Sequence, residues 1–241
     1  SFFKSNQKID YCINCAAYTA VDKAETETDK AFEINAKGAK NLAIVCNEFD
    51  AILIQVSTDF VFDGEKNEPY TETDVAKPIS IYGASKLKGE VEIQKILKEH
   101  FIIRTSWLYS EHGNNFMKTM LRLAETHDEI SVVSDQIGTP TYAGDLAQVI
   151  LKIINSNNKS FGLYHYSNEG EASWYDFAKA IFEESNIEIK INPIKTDAYP
   201  TPAKRPFFSV MDKAKIKSDL NIKIPHWRES INNSINYLSE D

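Results

Sequence analysis

The sequence lacks the glycine-rich turn that opens many nucleotide-binding α/β folds. The first of its nine glycines is Gly38, and no two of them stand two or three residues apart. Turns of the Gly-x-Gly-x-x-Gly or Gly-x-x-Gly-x-x-Gly type need those spacings so that the backbone can approach a pyrophosphate. The first methionine is Met117. We therefore expect residues 1–8 to be the tail of a helix, preceded by a further N-terminal segment that carries the first strand and the turn.

Cysteine is scarce, with three residues at Cys12, Cys15 and Cys46. So low a content suits a reducing compartment. Cys12 and Cys15 form a Cys-x-x-Cys pair, but they fall in a predicted strand, where residues three apart point to opposite faces. The pair therefore predicts neither a zinc site nor a disulfide, and we expect all three thiols to be buried and structural. The five histidines show no ligand spacing, so no metal site is predicted.

Excess positive charge and long apolar runs are also missing. The net charge is −8, which argues against a nucleic-acid-binding surface. No apolar run approaches the roughly 18 residues that a membrane span needs, and no signal peptide is recognisable. The sequence therefore predicts a soluble cytoplasmic protein whose partners are neither nucleic acid nor membrane.

What the sequence does contain is a regular alternation of strand and helix patterns. Apolar runs predict strands at 11–15, 51–56 and 100–104, and helical periodicity covers 27–49 and 81–98. Such alternation implies right-handed crossovers and a parallel sheet with helices on both faces. The predicted fold class is α/β, a Rossmann-like doubly wound sheet without its first strands, joined to a smaller C-terminal lobe.

The pattern becomes mixed beyond Trp107, where helices, short strands and a proline-rich stretch follow one another. We predict that residues 1–106 and about 141–168 form the dinucleotide-binding core. Residues 107–140 and 169–241 are predicted to form the substrate-binding lobe, packed over the crevice and ending in a helix near Trp227 to Leu238.

The pair Tyr82 and Lys86 carries the clearest chemistry. Four residues apart on a helix, the phenol and the ammonium share a face. A nearby cation lowers the pKa of a phenol from its free value near 10, so the phenol can exchange a proton near neutral pH. Thr58, at the end of the preceding strand, can hydrogen-bond the reacting oxygen and hold it near the phenol. The set predicts chemistry on a carbonyl/alcohol couple.

The spacing alone is not specific, because Tyr175 and Lys179 repeat it. Tyr175 lies in an amphipathic helix with apolar neighbours, which favours a packing role. Tyr82 instead follows a buried strand with a hydroxyl-rich end. The segments AAYTAVDKAE, STDFVFDG and RTSWLY each follow a predicted strand, and the carboxyl ends of parallel strands meet at one crevice.

Several segments together resemble the dTDP-4-dehydrorhamnose reductase family, a branch of the extended short-chain dehydrogenase/reductases. They are NCAAYTAVDKAE, STDFVFDG, YGASKLKGE, RTSWLY, NNFMKTMLRLA, DQIGTPTYA and AYPTPAKRP. The resemblance covers essentially the whole chain. It implies an oxidoreductase that uses NADPH or NADH to reduce a dTDP-4-keto-6-deoxy sugar, dTDP-4-dehydro-L-rhamnose, to dTDP-L-rhamnose for polysaccharide biosynthesis.

The resemblance also implies roles for individual residues. Tyr82 would donate the proton, Lys86 would lower the pKa of the phenol and bind the nicotinamide ribose, and Thr58 would complete the catalytic set. The cofactor-binding positions are Ala17, Tyr18, Thr19, Val56, Tyr82 and Lys86. The substrate-binding positions are Thr58, Asp59 and Trp107, with Val21 and Asp22 lining the same pocket. Phe60 stands where the family often has tyrosine.

Some alternatives stay open at the level of sequence. The chain could be another nucleotide-sugar reductase or epimerase, or a non-catalytic regulatory subunit on the same fold, as in methionine adenosyltransferase. Trp107 could be a packing residue, and Arg205 could bind a pyrophosphate or pair with an acidic neighbour. Asn35 could be structural or part of a polar relay. An uncovered edge at strand 11–15 would favour pairing with a second copy, so a homodimer is a further expectation.

Overall fold

The computed structural model describes residue 3, residues 8–156 and residues 158–238. The helix tail that we expected over residues 1–8 falls almost entirely outside this part of the chain.

The described residues form ten strands and nine α-helices. The strands are β1 (Tyr11–Asn14), β2 (Ile52–Thr58), β3 (His100–Thr105), β4 (Leu108–Tyr109), β5 (Glu129–Val133), β6 (Ile137–Gly138), β7 (Thr141–Tyr142), β8 (Gly162–His165), β9 (Ala172–Ser173) and β10 (Lys190–Ile194). The α-helices are α1 (Val21–Ala24), α2 (Thr28–Phe32), α3 (Ala39–Glu48), α4 (Ile81–Ile96), α5 (Phe116–Ala124), α6 (Ala143–Ser156), α7 (Trp174–Glu184), α8 (Ala214–Leu220) and α9 (Trp227–Leu238).

The central sheet has four parallel strands in the order β1-β2-β3-β8. Thr58 at the end of β2 lies opposite Thr105 at the end of β3. Because all four strands run in the same direction, their carboxyl ends lie along one edge of the sheet, where α/β folds bind their ligands.

Helices cover both faces of this sheet, which confirms the predicted doubly wound arrangement. On one face α3 and α4 pack through Ala43 and Ile93 against Leu53 of β2. On the other face α6 and α8 pack through Val149 and Ile216 against Ile54 of β2. Neighbouring residues of one strand thus enter two separate cores, as the two-residue period of a strand requires.

A further apolar core lies in the C-terminal half. It is built around α5, α7 and α9 and contains Met117, Phe177, Ile181, Trp227 and Ile231, all buried. Helix α8 lies outside this core and packs on the sheet, where Lys215 donates a hydrogen bond to the Leu163 carbonyl at 2.7 Å. The division of the chain into a core and a substrate-binding lobe stays a prediction.

The segment that we predicted as one helix over 27–49 contains an irregularity. Between α2 and α3 the residues Glu33–Gly38 form a π-helix, which inserts an extra residue into the helical turn. Single π-turns of this kind occur often at functional sites. Here the insertion presents Asn35 to the interior, where the side chain is buried.

The cysteines differ from expectation. Strand β1 ends at Asn14, so Cys15 lies beyond it and is exposed, while Cys46 is buried and Cys12 is half-buried; all three are free thiols. The expectation that all three are buried is therefore wrong for Cys15 and Cys12 and holds for Cys46. Within the described residues no group of three or more histidine, cysteine or acidic side chains is arranged to hold a metal ion. No described helix is long and apolar enough to cross a membrane.

Candidate active site

Strand β2 and helix α4 bring Thr58, Tyr82 and Lys86 together. Helix α4 begins after Ser80, whose hydroxyl caps it by accepting a hydrogen bond from the Gly83 amide at 3.2 Å. This start places Tyr82 and Lys86 on the face that meets β2. The Lys86 ammonium is buried and donates to the Val56 carbonyl of β2 at 2.7 Å.

The Thr58 hydroxyl lies within hydrogen-bond reach of two acidic groups. It interacts with the Tyr82 phenol, whose pKa it lowers, and it donates to Asp59 Oδ1 at 3.0 Å. The Phe60 amide donates to Thr58 Oγ1 at 3.2 Å, and this bond holds the Thr58 side chain at the end of the strand. The Phe60 ring meets the Tyr82 ring edge-on, with 5.6 Å between centroids.

The Tyr82 phenol does not have the lowered pKa that we expected. Burial raises its pKa to about 12, and the negative charge of Asp59 adds to the rise while the Thr58 hydroxyl opposes it. The expectation of a pKa lowered by Lys86 is wrong here, because burial of the phenol outweighs every favourable interaction of the phenolate. The phenol is therefore fully protonated at neutral pH.

The Lys86 ammonium and the Asp59 carboxyl are also perturbed by burial. Burial lowers the pKa of Lys86 to about 8, against the opposing effects of Glu90 and Cys15. Asp59 is 1% exposed, and its Oδ2 atom has no hydrogen-bond partner among the described residues. Burial raises the pKa of Asp59 to about 6, opposed by the Ser209 and Thr58 hydroxyls.

Asn35 connects the predicted cofactor-binding segment to the catalytic helix. Its Oδ1 atom accepts a hydrogen bond from the Tyr18 amide at 2.8 Å, and its Nδ2 atom donates to the Tyr18 carbonyl at 3.1 Å. The same Nδ2 donates to Ser85 Oγ at 2.9 Å, and Ser85 Oγ donates to the Tyr82 carbonyl at 2.8 Å. On either side of Tyr18, Ala17 is half-buried and Thr19 is exposed.

Trp107 lies at the end of β3 with a left-handed backbone, φ 45°. Its indole stacks on Trp174 with centroids 3.6 Å apart and planes 7° from parallel. Trp174 in turn donates from Nε1 to Gln136 Oε1 at 3.2 Å. A β-carbon at Gly138 would lie 2.6 Å from the Trp107 ring, so only glycine fits there. Trp107 is thus half-buried and firmly supported.

Arg205 pairs with an acidic neighbour, one of the two alternatives for this residue. Its guanidinium donates to Asp22 Oδ1 at 3.1 Å and to Oδ2 at 2.8 Å. This hydrogen-bonded arginine holds the pKa of Asp22 below its usual range. The pair joins the segment after β1 to the proline-rich stretch near the C-terminus.

The second Tyr-x-x-x-Lys pair has the packing role that its context predicts. Tyr175 packs against the apolar core of the C-terminal half. Lys179 forms an exposed ion pair with Glu183 at 3.8 Å. Neither residue lies near the carboxyl ends of the central strands.

A buried polar network under the site went unrecognised in the sequence. Glu90, one turn after Lys86, binds Ser57 and Arg104. The signals were the spacing of Glu90 from Lys86 on α4 and an arginine inside the apolar strand HFIIRT, because a buried charge requires a partner.

Known proteins resemble this chain over almost its whole length. The family model described as the RmlD substrate binding domain matches residues 2–240. A curated dTDP-4-dehydrorhamnose reductase from Aggregatibacter actinomycetemcomitans is 44% identical over 237 residues, covering 94% of this chain and 80% of that protein. A spore coat polysaccharide biosynthesis protein from Bacillus subtilis is 45% identical over 231 residues, covering 96% of this chain and 79% of that protein.

Two solved structures are similar throughout the chain. The dTDP-4-dehydrorhamnose reductase from Clostridium acetobutylicum has 46% identity and a TM-score of 0.95, covering 99% of this chain and 84% of its own. The Bacillus anthracis dTDP-4-dehydrorhamnose reductase, solved in complex with NADP, has 44% identity and a TM-score of 0.90, covering 94% and 80%.

Proposed function

Because the chain belongs to the dTDP-4-dehydrorhamnose reductase family, we propose that it reduces dTDP-4-dehydro-L-rhamnose to dTDP-L-rhamnose with NADPH or NADH. The observation that carries this function is the meeting of Thr58, Tyr82 and Lys86 at the carboxyl end of β2. The curated relative from Aggregatibacter actinomycetemcomitans is named for this reaction. The one from Bacillus subtilis is named for polysaccharide biosynthesis, which suits the product.

The described residues fit the nicotinamide end of such a cofactor. The Lys86 ammonium, held on the Val56 carbonyl, is a donor for a ribose hydroxyl. Ala17 is small and half-buried, and the backbone of Tyr18 is fixed by Asn35, so this segment offers a rigid, flat wall for a ring. When bound, the reduced nicotinamide supplies the hydride.

Tyr82 supplies the proton in this proposal. With a pKa raised to about 12 by burial, the phenol keeps its proton at neutral pH and gives it to the more basic alkoxide that forms on the sugar. Thr58 donates to the same oxygen and holds it near the phenol. Reduction of the ketone starts from the protonated phenol, and a pKa of about 12 keeps Tyr82 in that form at neutral pH.

Asp59 and Trp107 are proposed to contact the nucleotide-sugar. Trp107 presents a supported aromatic surface two residues after β3. Asp59 is buried beside Thr58, and its Oδ2 atom, which has no partner among the described residues, becomes an acceptor once the substrate displaces the groups that cover it. The lobe over this edge of the sheet then supplies the substrate side of the crevice. We also place the reaction in the cytoplasm, since the three cysteines are free thiols.

The proposal is tested by turnover with the full-length gene product. We expect consumption of NADPH or NADH to match formation of dTDP-L-rhamnose, identified by NMR of the sugar ring. Turnover confined to another nucleotide-sugar would replace the substrate assignment. Tight binding of the nucleotide-sugar without any turnover would indicate a non-catalytic subunit on this fold.

A further inference from the structure

Helix α4 carries a third polar residue on the face that bears Tyr82 and Lys86. Glu90 follows Lys86 by four residues, as Lys86 follows Tyr82, so the three side chains share one face. Glu90 is 2% exposed. A carboxylate so deeply buried has to be satisfied by the protein, and its partners show what it positions.

The first partner is the strand that also holds Lys86. Ser57 Oγ donates to Glu90 Oε1 at 2.5 Å, while Lys86 donates to the carbonyl of Val56 at 2.7 Å. Val56 and Ser57 are consecutive in β2, and Thr58, the next residue, meets Tyr82. Successive turns of α4 are therefore tied to adjacent residues of one strand, and the Ser57 bond fixes the helix along the strand.

The second partner reaches Glu90 from the neighbouring strand. Arg104 of β3 donates from Nε to Oε1 at 3.0 Å and from its terminal nitrogen to Oε2 at 2.7 Å. Its other terminal nitrogen lies 3.4 Å from His165 Nε2, and His165 Nδ1 lies 3.1 Å from the Tyr70 carbonyl. Burial and the charge of Arg104 lower the pKa of His165 to about 3, so the imidazole is neutral and accepts from Arg104.

The formal charges of this cluster are two cations and one anion. Lys86 and Arg104 are positive, Glu90 is negative and His165 is neutral. The ionisable groups that face Lys86 are Glu90 on its own helix and Cys15 after β1, with Tyr82 one turn away. Glu90 opposes the burial of the ammonium most strongly of these.

We propose that Glu90 is a positioning residue for Lys86. Through Ser57 and Arg104 it sets where the ammonium lies on β2, and its carboxylate keeps that ammonium charged for the ribose hydroxyl that Lys86 is proposed to bind. The inference rests on the role given to Lys86 in the proposed function.

The decisive measurement is the pKa of Lys86 itself, by NMR titration of the protein labelled with ¹³C at the lysine ε-carbon. The Lys86 signal is assigned by its absence in Lys86→Arg. In Glu90→Gln we expect the Lys86 pKa to fall by about one unit or more, the usual effect of losing a nearby opposite charge. The alkaline limb of kcat should move to lower pH by the same amount.

Glu92→Gln is the matched control. Glu92 lies on the same helix and pairs at the surface with Lys88 at 2.8 Å and Lys40 at 3.4 Å. Its substitution removes the same charge at a site away from the cluster, so the Lys86 pKa and the pH profile should not change.

Ser57→Ala tests whether the Ser57–Glu90 hydrogen bond positions Lys86, and it leaves no buried charge unpaired. It removes one hydroxyl and should lower kcat by about threefold or more, as loss of one buried hydrogen bond would, with the alkaline limb unchanged. An unchanged Lys86 pKa in Glu90→Gln, or an unchanged kcat in Ser57→Ala if Glu90→Gln fails to fold, would overturn the proposal. The titration needs no substrate, so absence of reductase turnover in the wild type would count against the proposed function alone.

Discussion

At the scale of single residues, Tyr82 shows how burial decides the form in which a catalytic group works. Its phenol is held protonated by burial and by the Asp59 charge. The cation on the same helix face is engaged elsewhere. In the proposed mechanism this phenol donates the proton, and its removal would leave the binding surfaces in place.

Tyr82→Phe should therefore lower kcat by about 10²-fold or more, since general acid catalysis contributes about 10²–10⁴-fold. Dinucleotide affinity should stay close to that of the wild type. Steady-state kinetics on the full-length gene product measure the effect. Tyr175→Phe is the control, because Tyr175 packs against the apolar core of the C-terminal half. Equal losses in the two variants would contradict the assignment.

Asp59 makes a pH-dependent contribution to stability. Its folded-state pKa of about 6 exceeds the value near 3.9 expected in the unfolded chain. Between these values the folded state binds a proton that the unfolded state does not. The stabilisation is therefore present below about pH 4 and is lost as the pH rises through about 6, an effect on the order of 2–3 kcal/mol.

Asp59→Asn should remove this dependence. Relative to wild type, the variant should gain more stability at pH 7.5 than at pH 4, measured as the free energy of unfolding in urea. Asp128→Asn is the control, because Asp128 is exposed and its loss should shift both values little. A gain of the same size at both pH values would show that Asp59 is ionised throughout.

The sequence predicted that Tyr82, Lys86 and Thr58 come together, because their placement depends on local spacing and on one strand end. It did not predict their pKa values. The pKa of Tyr82 depends on the depth of the site and on Asp59, and the placement of Lys86 depends on a carbonyl of β2. Such quantities come from three-dimensional burial that a spacing does not contain.

At the scale of secondary structure, α4 and the π-helix approach each other closely at Gly89. A β-carbon at Gly89 would lie 2.3 Å from the Asn35 carbonyl oxygen, whereas one at Gly38 would find nothing nearer than 3.8 Å. The absence of a side chain at Gly89 lets the helix carrying Tyr82 reach the turn that carries Asn35.

Gly89→Ala should therefore destabilise the protein by about 1–3 kcal/mol, as overpacking usually does. Gly38→Ala should stabilise it by about 0.5–1 kcal/mol, the usual preference for alanine in a helix. Thermal unfolding compares the two variants. A stabilised Gly89→Ala would mean that helix propensity outweighs the contact.

The helix and strand limits were largely predictable from periodicity, as α4 and β3 show, each ending within about two residues of its predicted limit. The π-helix was not. The π-helix carries Asn35, which hydrogen-bonds the Tyr18 backbone 17 residues away in the chain, and apolar spacing does not reveal such a contact.

At the scale of the whole molecule, the Asp22–Arg205 pair links segments 183 residues apart in sequence. Asp22 Oδ1 also accepts from the Ala203 amide at 3.2 Å, so one carboxylate holds both the guanidinium and the backbone of the proline-rich stretch. Sequence alone did not decide whether Arg205 binds a pyrophosphate or pairs with an acidic residue, because its partner Asp22 lies 183 residues away in the chain.

Asp22→Asn should loosen this stretch while the sheet stays intact. Hydrogen exchange followed by mass spectrometry should show faster exchange in peptides covering 201–207 and unchanged exchange in β2 and β3. Glu129→Gln breaks an exposed pair with Lys190 and should leave both regions unchanged. Faster exchange across the sheet would indicate global destabilisation instead.

The stacked indoles of Trp107 and Trp174 also have an optical consequence. The electronic excitations of two parallel rings with centroids 3.6 Å apart are coupled, and circular dichroism detects a change in this coupling. Trp227 is buried beside His226 and adds a separate background. If a nucleotide-sugar binds against Trp107, the coupling between the two indoles changes. The circular dichroism spectrum of the unlabelled protein then measures substrate binding separately from turnover.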